Sequence, residues 1–212
     1  MSEPSTPRCS RAPLLGRLTD GRGRTAAEWA TAPLADAECA VELVPDGGGV
    51  ALLTRDGRVR AQPSALPVWT NALDGLCLTA VLAGTADVDA LFAEVRRVLR
   101  PAGTLVVITP SAAVRTPGQL RLRAVHRQGW PHRSALDDVG WLLAAADFAL
   151  LAEDRVAFSV DVPDAGAPDR FTAELSAAGL WPPQVPAHVV ARLGDGPGRP
   201  WPVPLRRLIA RR

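Results

Sequence analysis

The chain has 212 residues, 47% hydrophobic and 22% charged, the size and composition of one globular α/β domain, which excludes a wholly disordered chain or a disulfide scaffold. Its 24 basic and 22 acidic residues leave a formal charge of +2, too little to argue for nucleic acid, and no apolar run approaches the roughly 20 residues of a membrane-spanning helix. Every basic residue is Arg, so Schiff-base chemistry and a phosphate loop built on Lys are excluded too.

Residues 1–24 mix Pro, Ser, Arg and Gly around Leu14, Leu15 and Leu18. They read as a flexible N-terminal arm, with one folded domain over 25–212. The start lacks the apolar stretch and small-residue cleavage site of a secretory signal, so a cytoplasmic location is expected. Cys9, Cys39 and Cys77 lie far apart without a CxxC, which speaks against a metal cluster.

Thr25 to Ala32 has the composition of a short helix stopped by Pro33 and anchored by Trp29. From Cys39, CAVELV reads as a strand, followed by a turn at Pro45-Asp46-Gly47-Gly48-Gly49. VALLTRDGRVRAQ then places Asp56-Gly57 between two β-compatible runs, the signal of a hairpin, since both central positions of a type I′ turn need φ > 0. An apolar run ends near Leu82. Beyond it Val88, Leu91, Phe92, Val95 and Leu99 mark one helix face, capped by Asp87 and with Arg96, Arg97 and Arg100 at its negative end. Pro101-Ala102-Gly103 stops this helix, and Thr104–Thr109 is the β-branched run of a strand buried on both faces. The whole is a β-α-β unit.

A polar, Arg-rich connection leads to Ser134, which with Asp137 makes a capping-box-like start to a helix with Leu136, Val139, Leu143 and Ala146 on one face. RVAFSVDV alternates as a strand near a sheet edge with one face exposed. Asp169–Ala178 reads as a helix. VPLRRLIARR reads as a last strand, with Pro204 near its beginning or on an edge.

The stretch from Ala61 to Ser111 carries Ala65-Leu66-Pro67, then Leu73-Asp74-Gly75-Leu76, and then Arg97-Val98-Leu99-Arg100-Pro101-Ala102-Gly103. In these words it resembles the class I S-adenosylmethionine-dependent methyltransferases of the type 11 branch, over roughly residues 40–212. The resemblance implies an α/β fold with a Rossmann-like, mostly parallel sheet and an antiparallel C-terminal strand. It also implies S-adenosylmethionine as methyl donor and a small-molecule acceptor. The donor would lie at the carboxyl ends of the strands, with Glu42, Asp46, Gly47, Gly48, Gln62 and Leu82 as donor-binding candidates. The segment Val41–Gly49 matches the family's Gly-rich loop at Glu42 and Gly48, while Val44 and Asp46 occupy two of its glycine positions. A plain surface turn would use the same glycines.

Only 20 residues separate Glu42 from Gln62, about half of what a helix, a second strand, another helix and a third strand require. The Asp56-Gly57 hairpin therefore replaces the crossover, and the first half of the fold is reduced. Asp56 could stand in for the family's ribose-binding acid or be a turn residue. Gln62 could meet an adenine amino group or simply end a strand. His126 and His132, in the loop after the fifth strand of the family, are the candidate catalytic bases. Trp130, Trp141 and Trp181 could line an acceptor pocket or belong to the core. No metal site is expected.

Two functions follow: a methyltransferase acting on a small molecule, or a catalytically inactive protein of this fold serving as an interaction or regulatory subunit. An exposed sheet edge left by the missing strands would suit a homodimer or a protein partner. Neither nucleic acid nor membrane is expected as a partner.

Overall fold

The computed structural model describes residues 14–54, 56–111, 130, 132–161, 167–183, 185 and 200–212; of Ser134 and residues 167–170 the backbone alone is described. Thr25 starts the first helix through a capping box, its Oγ1 accepting from Glu28 N at 3.1 Å while Glu28 Oε2 accepts from Thr25 N at 2.9 Å. Helix α1 (Ala26–Thr31) ends in a single 3-10 turn, Ala32–Leu34, with Pro33 inside it.

Three strands then run as a meander: β1 (Ala40–Asp46), β2 (Gly49–Thr54) and β3 (Gly57–Ala61). Asp46 pairs with Gly49 across a two-residue turn in which Gly47 and Gly48 have φ of 54° and 93°. That turn needs left-handed backbone at both positions, which glycine adopts without strain. Strand β4 (Leu73–Thr79) lies parallel to β1, and α2 (Val88–Val98) follows with Asp87 accepting from Ala90 N at 2.8 Å. Strand β5 (Leu99–Pro110) pairs parallel with β4.

Helices α3 (Ser134–Asp137) and α4 (Val139–Ala145) replace the one helix expected there, broken at Asp138. The cap expected from the Ser134 side chain lies outside the described residues. Strand β6 (Ala149–Val160) is an edge, helix α5 (Ala167–Ala177) follows, and β7 (Trp201–Arg211) inserts antiparallel between β5 and β6. Pro202 and Pro204 precede the first β5 pair, Pro110 with Leu205. There a missing ladder donor costs little.

The seven strands take the order β3-β2-β1-β4-β5-β7-β6. The sheet is mixed rather than mostly parallel: only β1–β4 and β4–β5 are parallel, because the short meander returns each strand against its neighbour. A parallel return needs a crossover of a dozen or more residues. This chain has none between β1 and β3.

One sheet face packs on α2, α3 and α4 through Leu91, Phe92, Val95, Val139 and Leu143. The other face carries Cys77, Val106 and Ile108 and is covered by α1, α5 and residues 14–18. Here the expectation of an arm reaching to residue 24 is corrected. Leu14, Leu15 and Leu18 are 5%, 1% and 0% exposed, because among the described residues α1 and α5 leave part of this face uncovered and the three leucines pack into the same core cluster. Thr19 then exchanges two backbone hydrogen bonds with Ser159, at 2.9 and 2.8 Å, and covers the outer edge of β6.

The family-like words do structural work at the end of the sheet away from Asp46. Asp74 accepts from Cys39 N at 3.2 Å and from Arg100 Nη1 at 2.6 Å, tying the starts of β1 and β4 to the start of β5. Arg97 grips Glu94 with two bonds of 2.8 Å and donates to the carbonyls of Leu66 and Val68; Glu94 also accepts from Leu66 N. The Arg97 guanidinium holds the Glu94 carboxyl below the usual carboxylate range, against an opposing effect of desolvation. Ala102 stands at φ 62° where the family has glycine. Ala102→Gly is expected to raise stability by about 1 kcal/mol by removing left-handed strain, read as a melting temperature higher by roughly 2–4 °C. An unchanged or lower melting temperature contradicts this.

Candidate functional site

Parallel β1 and β4 bring their carboxyl ends, Asp46 and Thr79, to the same edge of the sheet. Beside them, on the α5 face, lies a cavity of about 490 Å³. Its sheet side is Val44, Pro45, Asp46, Gly47, Leu53 and Thr79; Arg58 joins it from β3; Glu174, Ala177, Ala178 and Leu180 close it from α5 and the turn after it; Leu14 and Leu15 complete the wall.

Polarity is concentrated on a few groups. Thr79 Oγ1 donates to Glu42 Oε1 at 2.5 Å, so a carboxylate only 1% exposed is held directly behind the cavity wall. Asp46 is clasped by two arginines: Arg60 donates from Nε at 2.6 Å and Nη2 at 3.3 Å, and Arg58 Nη2 lies 2.9 Å from Oδ1. The Arg60 guanidinium, with Arg58 beside it, keeps the Asp46 carboxyl below its ordinary range, desolvation opposing. Glu174 pairs with Arg17 at 2.6 Å. The rest of the lining is apolar, the mixture typical of small-molecule sites.

A glycine, Gly179, stands between the lining residues Ala178 and Leu180. Gly179 ends α5 in a Schellman arrangement, with Leu180 N donating to Leu175 O at 2.8 Å and Gly179 N to Ser176 O at 3.0 Å. Its φ is +68°, and a Cβ there would stand 2.4 Å from Ala80 O and 2.9 Å from Pro45 Cγ. The turn after α5 is therefore seated on Pro45, near the end of β1, and on Ala80, just after β4.

Of the candidates named from the sequence, Asp46 and Gly47 line the cavity and Glu42 stands behind it through Thr79. Gly48 is the second residue of the same turn and has nothing within 4 Å of an added Cβ. Gln62 follows β3, half-buried, its carbonyl accepting from Ala65 N at 3.0 Å, and is not in the cavity lining. Leu82 is fully buried in the 3-10 turn Leu82–Gly84, away from the cavity. Antiparallel β2 carries Asp56 to the opposite end of the sheet, so it does not stand in for a ribose acid.

His126 lies outside the described residues. His132 lines a second cleft of about 510 Å³, with Asp87, Asp89, Asp138 and the 70% exposed Trp141. Trp181 is core, its ring 5.6 Å from that of Trp201, and Trp130 packs partly buried against the core cluster of α2 and α4. Sequence reasoning missed Thr79, Arg58 and Glu174. Thr79 ends an apolar strand and Arg58 alternates in a hairpin, patterns that any strand shows, and Glu174 carries no local signal at all.

Among the described residues no helix is long and apolar enough to cross a membrane. No curated protein matches the chain. Among solved structures the chain is similar to an S-adenosylmethionine-dependent methyltransferase from Aquifex aeolicus (16% identity, TM-score 0.36, covering 46% of this chain and 47% of that one). It is also similar to the YcgJ protein from Bacillus subtilis (14%, TM-score 0.40, 72% and 69%), and to an S-adenosylmethionine-dependent methyltransferase from Methanosarcina mazei (12%, TM-score 0.40, 72% and 65%). The chain thus spans from about half to about two thirds of these proteins' lengths. Residues 21–107 match the family model described as a methyltransferase domain. That match runs from before α1 through β4 and into β5, and over this stretch the chain is similar to a methyltransferase domain.

Proposed function

We propose that the cavity at the ends of β1 and β4 binds S-adenosylmethionine and that the protein directs its methyl group to a small-molecule acceptor. The observation that carries this reading is the position and size of the cavity. It lies where ligands sit in open α/β sheets, and its roughly 490 Å³ falls within the 300–1,000 Å³ of sites that enclose molecules of this class. The residues present suit the donor at β1 and β4: Gly47 and Gly48 leave their backbone approachable, with open space where a side chain would stand. The carboxylate after β2, Asp56, lies at the end of the sheet away from the cavity.

Bound here, the donor supplies a methyl group already activated on a sulfonium. The chain's part is positioning, which alone can supply several kcal/mol of a transfer barrier, up to ~10. Among the described residues the cavity contains no imidazole, and both its carboxylates, Asp46 and Glu174, are ion-paired. The acceptor is therefore one that brings its own nucleophile, or one whose proton is taken by a group outside this wall.

Calorimetric titration with S-adenosylhomocysteine tests the reading without knowledge of the acceptor. One-to-one saturation in the micromolar range with a raised melting temperature is expected. No heat and an unmoved melting temperature would leave the fold without donor binding and favour the reading as an interaction or regulatory subunit. For a partner, the outer edge of β3 has no neighbouring strand among the described residues and carries Val59 at 47% exposure. It suits pairing with a second copy, which sedimentation at micromolar concentration would register as twice the monomer mass.

A further inference from the structure

Two arginines serve one carboxylate at the mouth of the cavity, and only one of them faces into it. Arg60 grips Asp46 through both Nε and Nη2, while its side chain is 82% exposed and takes no part in the lining. Arg58 Nη2 lies 2.9 Å from Oδ1 of the same carboxylate, and Arg58 is among the residues that line the cavity. Asp46, Arg58 and Arg60 together carry one net positive charge. Arg60 by itself satisfies both Asp46 oxygens, so the second cation is surplus to holding the hairpin. A guanidinium has five N–H donors in a fixed fork that matches a carboxylate. Glu174, on α5 and paired with Arg17 at 2.6 Å, lines the same cavity.

From this we infer that Arg58 anchors a carboxylate on the bound ligand, the amino-acid end of the donor, with Glu174 in the same lining as acceptor for the adjoining ammonium. The inference rests on the donor reading above. It gives β3, which replaces a crossover strand, a binding task of opposite charge to the ribose acid that the missing segment would carry. Arg58 is a specificity-determining residue here: it selects ligands that bear the amino-acid arm over those that end at the thioether.

The test compares S-adenosylhomocysteine with 5′-methylthioadenosine, which keeps the adenosine and lacks the amino-acid arm, by calorimetry on four proteins: wild type, Arg58→Gln, Arg58→Lys and Arg60→Gln. A charge-assisted hydrogen bond at a half-exposed site is expected to give wild type at least about a tenfold preference for S-adenosylhomocysteine. Arg58→Gln removes that preference by weakening S-adenosylhomocysteine alone, Arg58→Lys keeps part of it, and Arg60→Gln keeps all of it although it loosens the same Asp46. Thermal melts show that each variant is folded, and Asp46 retains one arginine in every case. An equal loss for both ligands in Arg58→Gln, or a preference that survives it, overturns the inference while leaving donor binding intact. Binding of neither ligand to wild type overturns the donor reading and the inference with it.

Discussion

Gly179→Ala is expected to lower the melting temperature by roughly 4–20 °C, at about 2–4 °C per kcal/mol for a chain of this size. Two costs add at this position. An L-residue at φ +68° pays about 1–2 kcal/mol of left-handed strain. The new methyl would also stand 2.4 Å from the Ala80 carbonyl oxygen, a backbone atom with no rotamer to move, and overpacking of that kind costs a further ~1–3 kcal/mol. Gly48→Ala separates the two effects: its φ of 93° is equally left-handed, but nothing lies within 4 Å, so only the strain of about 1–2 kcal/mol remains. Equal losses in the two variants would show that the turn after α5 is not seated on Ala80 and Pro45. Because Ala178 and Leu180 flank Gly179 and line the cavity, the Gly179 variant also loses ligand affinity, whereas strain at an open turn changes it far less.

Trp29→Ala is expected to destabilise the protein by about 3–5 kcal/mol, enough to consume much of the stability of an ordinary domain. The indole is fully buried, its ring centroid 5.3 Å from that of Phe158, with the Arg207 guanidinium 4.7 Å over its face. Its Nε1 donates to Asp154 Oδ2 at 3.1 Å, and Arg207 donates both to Asp154 and to the Trp29 carbonyl. One side chain thus joins α1 to β6 and β7, the far end of the sheet in sequence. Trp29→Phe keeps the ring and loses the hydrogen bond, for which ~1 kcal/mol is expected. A Trp29→Ala variant as stable in urea as wild type would mean that α1 and the leucines before it are not part of the core.

What local chemistry decides was legible in the residues. Helix α2 starts at the Asp87 cap and buries the Leu91, Phe92 and Val95 face that its period marked. A hairpin joins β2 and β3 as expected, although Gly57 belongs to β3 and pairs with Thr54 instead of standing inside the turn, and the 20-residue spacing from Glu42 to Gln62 by itself excludes a crossover. Strand direction was less legible. The Gly47-Gly48 pair suits both a ligand loop and a type I′ turn, because each needs backbone that only glycine adopts freely, and it is the antiparallel return of β2 that makes it a turn. Residues 14–18 were misread because Pro, Gly and Arg dominate the composition around three leucines, whereas burial depends on what face needs covering. The cavity was legible only in part. Asp46 and Gly47 sit at a strand end that sequence can mark, but Arg58 and Glu174 reach it from β3 and α5, and no local pattern records such contacts.

The central claim is that a ligand occupies the cavity between β1, β4 and α5, and one comparison tests it most directly: the affinity of S-adenosylhomocysteine for wild type and for Ala177→Trp. Ala177 lines the cavity from the exposed side of the last turn of α5, so an indole there fills the space without displacing core. We predict saturable binding to wild type and a loss of at least tenfold in the variant at an unchanged melting temperature. Equal affinity in both proteins would contradict the account and place any binding elsewhere on the molecule.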